Sequence, residues 1–177
     1  LGAYLSGNGP GASVVAASTA QGGVYDIPAI AVDVRGAVTN TTPVDAYRGA
    51  GKPEANYIVE RAIEAAARAL GRDPADLRRQ NLISSFPHRT AMGMAIESGD
   101  FVANLDAAVA RAPGFEARRA DARARGRLRG LGVACFLETS RGAPNEGAEV
   151  RFEPDGSVMI AVGTESNGQG HETAFAQ

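Results

Sequence analysis

Apolar positions recur along this chain with two periods, and the changes from one to the other mark its elements. Residues 1–23 are rich in glycine and alanine, with a helix expected over Ala12 to Ala20. Over residues 24–39 the period is two. Ile30, Val32 and Val34 alternate there with Ala31, Asp33 and Arg35, the pattern of a half-buried strand. Past residue 52 the period becomes helical. Pro53 suits the first helical position, and Val59, Ala62, Ile63, Ala66 and Leu70 fall on one expected apolar face until Gly71. Asp73-Pro74 repeats the start signal, N-cap plus proline, for a short helix ending near Asn81. A loop with Pro87 and His88 follows. Asp100 then caps a helix whose Phe101, Leu105, Ala108 and Val109 share a face until Pro113.

The period returns to two after residue 130. Segments 131–138 (LGVACFLE), 147–153 (GAEVRFE) and 157–163 (SVMIAVG) read as β, the last two as a hairpin closed by Pro154-Asp155-Gly156. Between the helical and β-like parts, Arg111, Arg118, Arg119, Arg123, Arg125, Arg127 and Arg129 stand against only Glu116 and Asp121. The fold class expected is therefore α+β, with a helical middle and a β-hairpin toward the C-terminus.

Two glycine-rich stretches carry the candidate chemistry: DAYRGAGKPEA at 45–55 and GTESNGQGHETAFAQ at 163–177. Each sets glycines beside polar side chains where a strand-like segment gives way to a helix. That arrangement exposes backbone N–H groups at a helix N-terminus and suits an anionic, phosphate-bearing ligand. Far apart in sequence, the two stretches are expected to embrace one extended cofactor from two sides.

Composition narrows the remaining classes. At 177 residues the chain is long enough for one ordinary domain or two small ones. A net charge of −2 gives no global case for nucleic acid, and the arginine run lacks interleaved aromatics, so it reads as a solvated helix face or connector. No apolar run approaches the ~20 residues needed to span a bilayer, so no membrane insertion is expected. A single cysteine, Cys135, excludes an internal disulfide framework and fits a reducing, cytoplasmic location. Cys135 reads as a buried inert thiol within a strand. His88 and His171 lack the spacing of a zinc centre and read as structural histidines. RGAGK fails as a nucleotide-triphosphate loop, because the first glycine would fall at Ala46 and the Ser/Thr after lysine is Pro53. Gly7-Asn8-Gly9-Pro10-Gly11-Ala12 meets the loose dinucleotide pattern, but without a preceding strand it reads as a turn.

The stretch DAYRGAGKPEANYIVERAIEAAARALGRDPADLRRQNLI resembles the large-subunit signature of the molybdenum hydroxylases. That family includes xanthine dehydrogenase, aldehyde oxidoreductases and the large chain of aerobic carbon-monoxide dehydrogenase. GAYLSGNGPGAS, YDIP, TNTTPVDAYRGAG, SGDFVANLD and GTESNGQGHETAFAQ fit it in the same order, so the resemblance spans nearly the whole chain. It implies a large subunit that binds molybdopterin, often as the cytosine dinucleotide, between two domains. It further implies hydroxylation of an aldehyde or N-heterocycle with oxygen from water. Electrons would leave through a 2Fe-2S small subunit and an FAD-binding medium subunit. The resemblance places Ala46 and Arg48 along the pterin and the amides of Gly49, Ala50 and Gly51 near the metal. It places Gly168, Gln169, Gly170 and His171 at the cofactor, with the Gln169 side-chain amide near a molybdenum oxygen ligand.

Two departures bear on substrate. Carbon-monoxide dehydrogenases resembling this chain carry a copper-ligating cysteine, in AYRCSFR, where Gly49 stands. Xanthine dehydrogenases carry a purine-stacking phenylalanine where Ala50 stands. The family's catalytic glutamate has no match here and is expected downstream. The expectation is thus an internal fragment, inactive alone, bridging two molybdopterin-binding domains. Residues 1–112 would end the first, 113–130 form the arginine-rich connector, and 131–177 begin the second. The other reading left open is a non-catalytic interaction or assembly module that kept the scaffold and lost the cofactor.

Overall fold

A computed structural model describes residues 1–9, 11–138 and 145–177, excluding the side chain of Ser13. Pro10, in the first glycine motif, lies outside the described residues. The chain divides into two compact units, Leu1–Glu138 and Thr139–Gln177. Helices and small antiparallel strand pairs are mixed along it, and the α+β expectation holds.

The first unit opens with a π-helical turn, Gly11–Ala16, running into the short helix α1 (Ala17–Thr19). Helix α2 (Lys52–Leu70) starts after Gly51 and stops at Gly71, which takes the left-handed conformation (φ 63°) that ends helices at low steric cost. In α3 (Pro74–Asn81) the Asp73 carboxylate accepts from the amides of Ala75 and Asp76, at 2.7 and 3.0 Å. Strands β1 (His88–Arg89) and β2 (Ala95–Ile96) form a two-residue antiparallel pair where only a loop was expected. Helix α4 (Phe101–Ala110) is capped by Asp100, which accepts from the Ala103 amide at 3.0 Å. Helix α5 (Phe115–Ala124) carries Arg118, Arg119 and Arg123 of the arginine run and buries only Ala122.

The core gathers Val24, Tyr25, Leu82 and Leu105, with Val59, Ile63, Val133, Cys135 and Leu137 packed against it. A bridge pairs Tyr25 with Leu82, and the Ile83 amide donates to Val24 at 3.0 Å. Fully burying each such aliphatic side chain contributes roughly 1.5–3 kcal/mol.

Three expectations change. The buried stripe of α2 is Ala55, Val59, Glu60, Ile63 and Ala67, while Ala62, Ala66 and Leu70 face solvent. The helix is rotated because Glu60 turns inward to an arginine. Residues 31–39 are exposed rather than half-buried, Val32 and Val34 among them; Ile30 alone of the alternating set is partly buried, and 30–39 join no ladder among the described residues. Alternation supplies a strand's faces but not its partner, and among the described residues the backbone of Leu1–Ala3 and the Ser6 hydroxyl bond along 37–44. Segment 131–138 shows strand-like alternation, with Val133, Cys135 and Leu137 inward, yet belongs to no ladder among the described residues.

The second unit holds the expected hairpin. Strands β3 (Ala148–Phe152) and β4 (Val158–Val162) pair antiparallel with Val150 opposite Ile160 and Phe152 opposite Val158. Gly156 (φ 86°) supplies the left-handed turn residue. Short helix α6 (His171–Ala174) ends the described fold.

Candidate functional site

The segment RGAG is built as a left-handed turn. Gly49, Ala50 and Gly51 have φ of 99°, 45° and 89°. Ala50 is the one non-glycine residue with positive φ among the described residues, a conformation that costs about 1–3 kcal/mol and persists where packing enforces it. Ala50 donates its amide to the Tyr47 carbonyl at 2.7 Å, and Lys52 to Gly49 at 3.0 Å. The amides of Gly49 and Gly51 have no acceptor among the described residues.

Protein packs closely on the other side of this turn. A Cβ on Gly51 would overlap the Ala12 carbonyl oxygen and stand 2.9 Å from the Ala17 amide nitrogen. A Cβ on Gly49 would stand 2.5 Å from Pro53 Cγ. Both glycines are therefore required by close approach as well as by φ. Ala46, Tyr47 and Arg48 are exposed beside them, and Asp45 steadies the approach by accepting from the Ala46 amide at 2.7 Å. The turn thus sets two amides that have no acceptor among the described residues, with Arg48 beside them, at the start of a nineteen-residue helix, an arrangement suited to an anion.

Behind α2 lies a buried polar network that the sequence did not announce. Arg78, 1% exposed, donates from Nε to Glu60 Oε2 at 2.9 Å and from Nη1 to the Pro74 carbonyl at 3.0 Å. Tyr25 donates its hydroxyl to the other Glu60 oxygen, and Glu64 approaches Arg78 Nη1 at 3.4 Å. Burial, then the Glu60 bond, holds the Tyr25 hydroxyl well above the ordinary tyrosine range. Burial pulls the Arg78 guanidinium down, but the hydrogen bond and charge of Glu60 outweigh it. Burial pushes the Cys135 thiol up, with the Glu60 charge adding; the thiol is half-buried in a segment that joins no ladder among the described residues, where a buried strand position was expected. The signal available was faint: Glu60 and Glu64 are four apart on α2, and Arg78 follows within the next helix.

The second candidate stretch lies within the other unit. Gly168 and Gly170 have φ of 86° and 79°, and Gly170 precedes α6. No atom lies within 4 Å of a Cβ placed on Gly170. Gln169 folds onto its own loop, accepting from the Asn167 amide and donating Nε2 to Glu165 O at 3.3 Å. His171 stacks on Phe175, ring centroids 4.9 Å apart. The structure therefore gathers residues 46–51 in one unit and 168–171 in the other.

Among the described residues, no group of three or more His, Cys, Asp or Glu is arranged to hold a metal ion. No helix among them is long and apolar enough to cross a membrane.

Residues 1–82 match one family model described as a molybdopterin cofactor-binding domain, and residues 108–177 match a second with the same description. Among curated relatives, the nicotine 6-hydroxylase large subunit of Paenarthrobacter nicotinovorans is 36% identical over 169 residues, covering 88% of this chain and 21% of that one. The carbon monoxide dehydrogenase large chain of Afipia carboxidovorans is 36% identical over 179 residues, covering 88% and 22%. The crystal structure of quinoline 2-oxidoreductase from Pseudomonas putida 86 superimposes with a TM-score of 0.63 at 28% identity, over 89% of this chain and 22% of that one. The chain spans about a fifth of the length of the curated relatives it matches.

Proposed function

From the premise that this chain belongs to the molybdopterin cofactor-binding domains, we propose that it forms part of the large, cofactor-binding subunit of a molybdenum oxidoreductase. The observation that carries the reading is the left-handed turn at Gly49–Gly51, whose unpaired amides open α2. Phosphate and pterin oxygens need N–H donors without a competing acceptor, and this turn presents them beside Arg48. In the proposal Ala46 and Arg48 border the pterin, and the Gly49, Ala50 and Gly51 backbone lies toward the metal. Gly168, Gln169, Gly170 and His171 complete the contact from the second domain. Gln169 Nε2 donates one N–H to the Glu165 carbonyl and keeps a second for a ligand oxygen.

Bound there, the cofactor supplies two-electron oxidation of a substrate C–H bond with oxygen taken from water. The residues of this chain hold and orient it. The general base would come from another part of the subunit, so these 177 residues are proposed to be inactive alone. In the proposed layout residues 1–112 close one cofactor-binding domain and 131–177 open the next, joined by 113–130; separate family matches at 1–82 and 108–177 support two domains, the second match taking in the connector.

The proposed substrate is an N-heterocycle or aldehyde. Relatives named for nicotine and quinoline support it. Gly49 weighs against carbon monoxide, because it supplies no thiolate for copper where the carbon-monoxide dehydrogenases that the chain resembles carry a cysteine. The proposed cofactor form is the cytosine dinucleotide, with electrons passing to a 2Fe-2S small subunit and an FAD-binding medium subunit in the cytoplasm. Molybdenum and released CMP, measured per polypeptide on the purified full-length subunit, test this reading. Near-stoichiometric amounts of both support it. Folded, matured protein containing neither would leave the interaction-module reading in its place.

A further inference from the structure

The arginine run takes no part in the proposed cofactor contact. Residues 111–129 carry seven arginines and two carboxylates, a net of +5 in a chain whose total is −2, so the other residues sum to −7. Both carboxylates are engaged locally: Glu116 pairs with Arg119 at 3.5 Å, and Asp121 pairs with Arg125. The guanidiniums of Arg111, Arg123, Arg127 and Arg129 belong to exposed residues and have no hydrogen-bond or ion-pair partner among the described residues. Their backbone is held in place. Gly126 (φ 67°) stops α5, its amide donating to Arg123 at 3.0 Å and the Arg127 amide to Ala122 at 2.9 Å, the paired bonds of a left-handed helix end. Further on, Val133 packs against the core. Between these two anchors Leu128 is 97% exposed, with Arg127 and Arg129 on either side.

An apolar side chain fixed in water and rimmed by arginines has the composition of a protein interface, apolar at its centre and charged about it. We propose that residues 111–129 form a docking surface for a companion protein chain, whose facing surface is acidic and holds an apolar recess for Leu128. Charge selects that partner, because an excess of cations steers toward carboxylates and is repelled by a basic face. Two observations favour protein over nucleic acid. The rest of the chain, at −7, opposes a polyanion, and no aromatic side chain among residues 118–129 offers a platform for a base. The proposal rests on the reading of this chain as part of a large subunit and adds to it the place where a companion is met.

The full-length subunit, co-expressed with its 2Fe-2S and FAD-binding companions, carries the test. Arg123→Glu combined with Arg127→Glu should weaken retention of a companion about tenfold at about 0.15 M salt, and less at about 1 M, where charges are screened. Leu128→Ser should weaken it about tenfold at both, the scale of one leucine taken out of water. Lysine at both arginine positions keeps the charge and should stay within about threefold of wild type. Melting midpoints of the separated subunit should not move, since all three side chains are exposed, so association is read apart from folding. Amide exchange over residues 123–131 should be fast in the subunit separated at high salt and slow in the complex.

Equal retention in every variant, or no companion on the wild-type subunit, would overturn the proposal. Protection of 123–131 already complete in the separated subunit would overturn it too, giving the surface to the subunit's own chain. So would a charge reversal that splits a homodimer and spares the companions, or one that abolishes salt-sensitive binding of random-sequence RNA. Molybdenum per polypeptide separates this inference from the cofactor reading. A subunit that holds molybdenum and keeps its companions in every variant sinks the docking surface alone. One that lacks molybdenum, yet loses a companion on charge reversal, sinks the cofactor reading alone.

Discussion

Gly49-Ala50-Gly51 and Gly168-Gln169-Gly170 are both glycine turns with positive φ that lead into a helix, yet the first leads into nineteen residues of α2 and the second into four of α6. Backbone of the 11–19 helical segment packs on the first, and Lys52 and Glu138 brace it. The second is held by its own side chains, through Gln169 and the stacking of His171 on Phe175. The units that carry them differ in the same sense. The first has a buried cluster around Tyr25 and Leu105, whereas Phe152, 81% exposed, typifies a hairpin without an interior of its own. Positive-φ glycines specify a turn in both cases. Only packing on the far side makes a turn a preformed site, because an unbacked loop opens at little free-energy cost.

The comparison is broken most severely by removing the support behind α2. Arg78→Ala leaves the Glu60 carboxylate buried without its cation, which costs about 3–5 kcal/mol. Urea unfolding followed by a probe in residues 1–138 should show that loss, and hydrogen exchange in the hairpin should not change. A loss below about 1 kcal/mol, the scale of an exposed pair, would mean that water takes over the charge. Gly51→Ala comes next. Its Cβ would overlap Ala12, and its φ of 89° is strained for alanine, for a combined cost of about 2–4 kcal/mol. Gly170→Ala, at a similar φ of 79° but with open space around it, should cost only about 1 kcal/mol. Equal costs at the two glycines would erase the distinction between a backed and an unbacked turn. Gln169→Ala should change stability by no more than about 0.5 kcal/mol, its bonds lying at an exposed loop, while lowering the molybdenum held by the full-length subunit.

What the sequence made legible was what local punctuation controls. Gly71 ends α2, Asp73 and Asp100 cap α3 and α4, and Pro154-Asp155-Gly156 closes the hairpin, each with its reason in one or two residues. The RGAG turn belongs with these, since its glycine spacing announces the backbone it needs. The inner face of α2 does not. Glu60 reads as a solvated charge until Arg78 and Tyr25 meet it, so the apolar face was placed too near Ala62, Ala66 and Leu70. Segments 30–39 and 131–138 carry period-two patterns, and the pattern alone does not say whether a neighbouring strand exists. Lys52 and Glu138 were invisible for a related reason: their partnership arises only when the core places one segment beside the other.

The mildest effect concerns acid, and it falls on the hairpin of the second unit. The amide and hydroxyl of Ser157 hold the Asp155 carboxyl below its ordinary value. Its folded value is thus lower than its unfolded one. The contribution of this turn is fully present above the unfolded value of about 3.9 and is lost as pH falls through the folded value. Glu153 and Ser157 close the same turn through backbone, the Glu153 amide donating at 2.9 Å, so the hairpin loosens without being abolished. Amide exchange at Ser157 should rise as the pH is lowered past about 4 when compared with the intrinsic rate. In Asp155→Asn, where the amide oxygen still accepts but no proton is taken up, that extra rise should vanish. If Asn kept the acid response, the Asp155 carboxyl would not be its source, and the turn would not be the part of the second unit that feels pH.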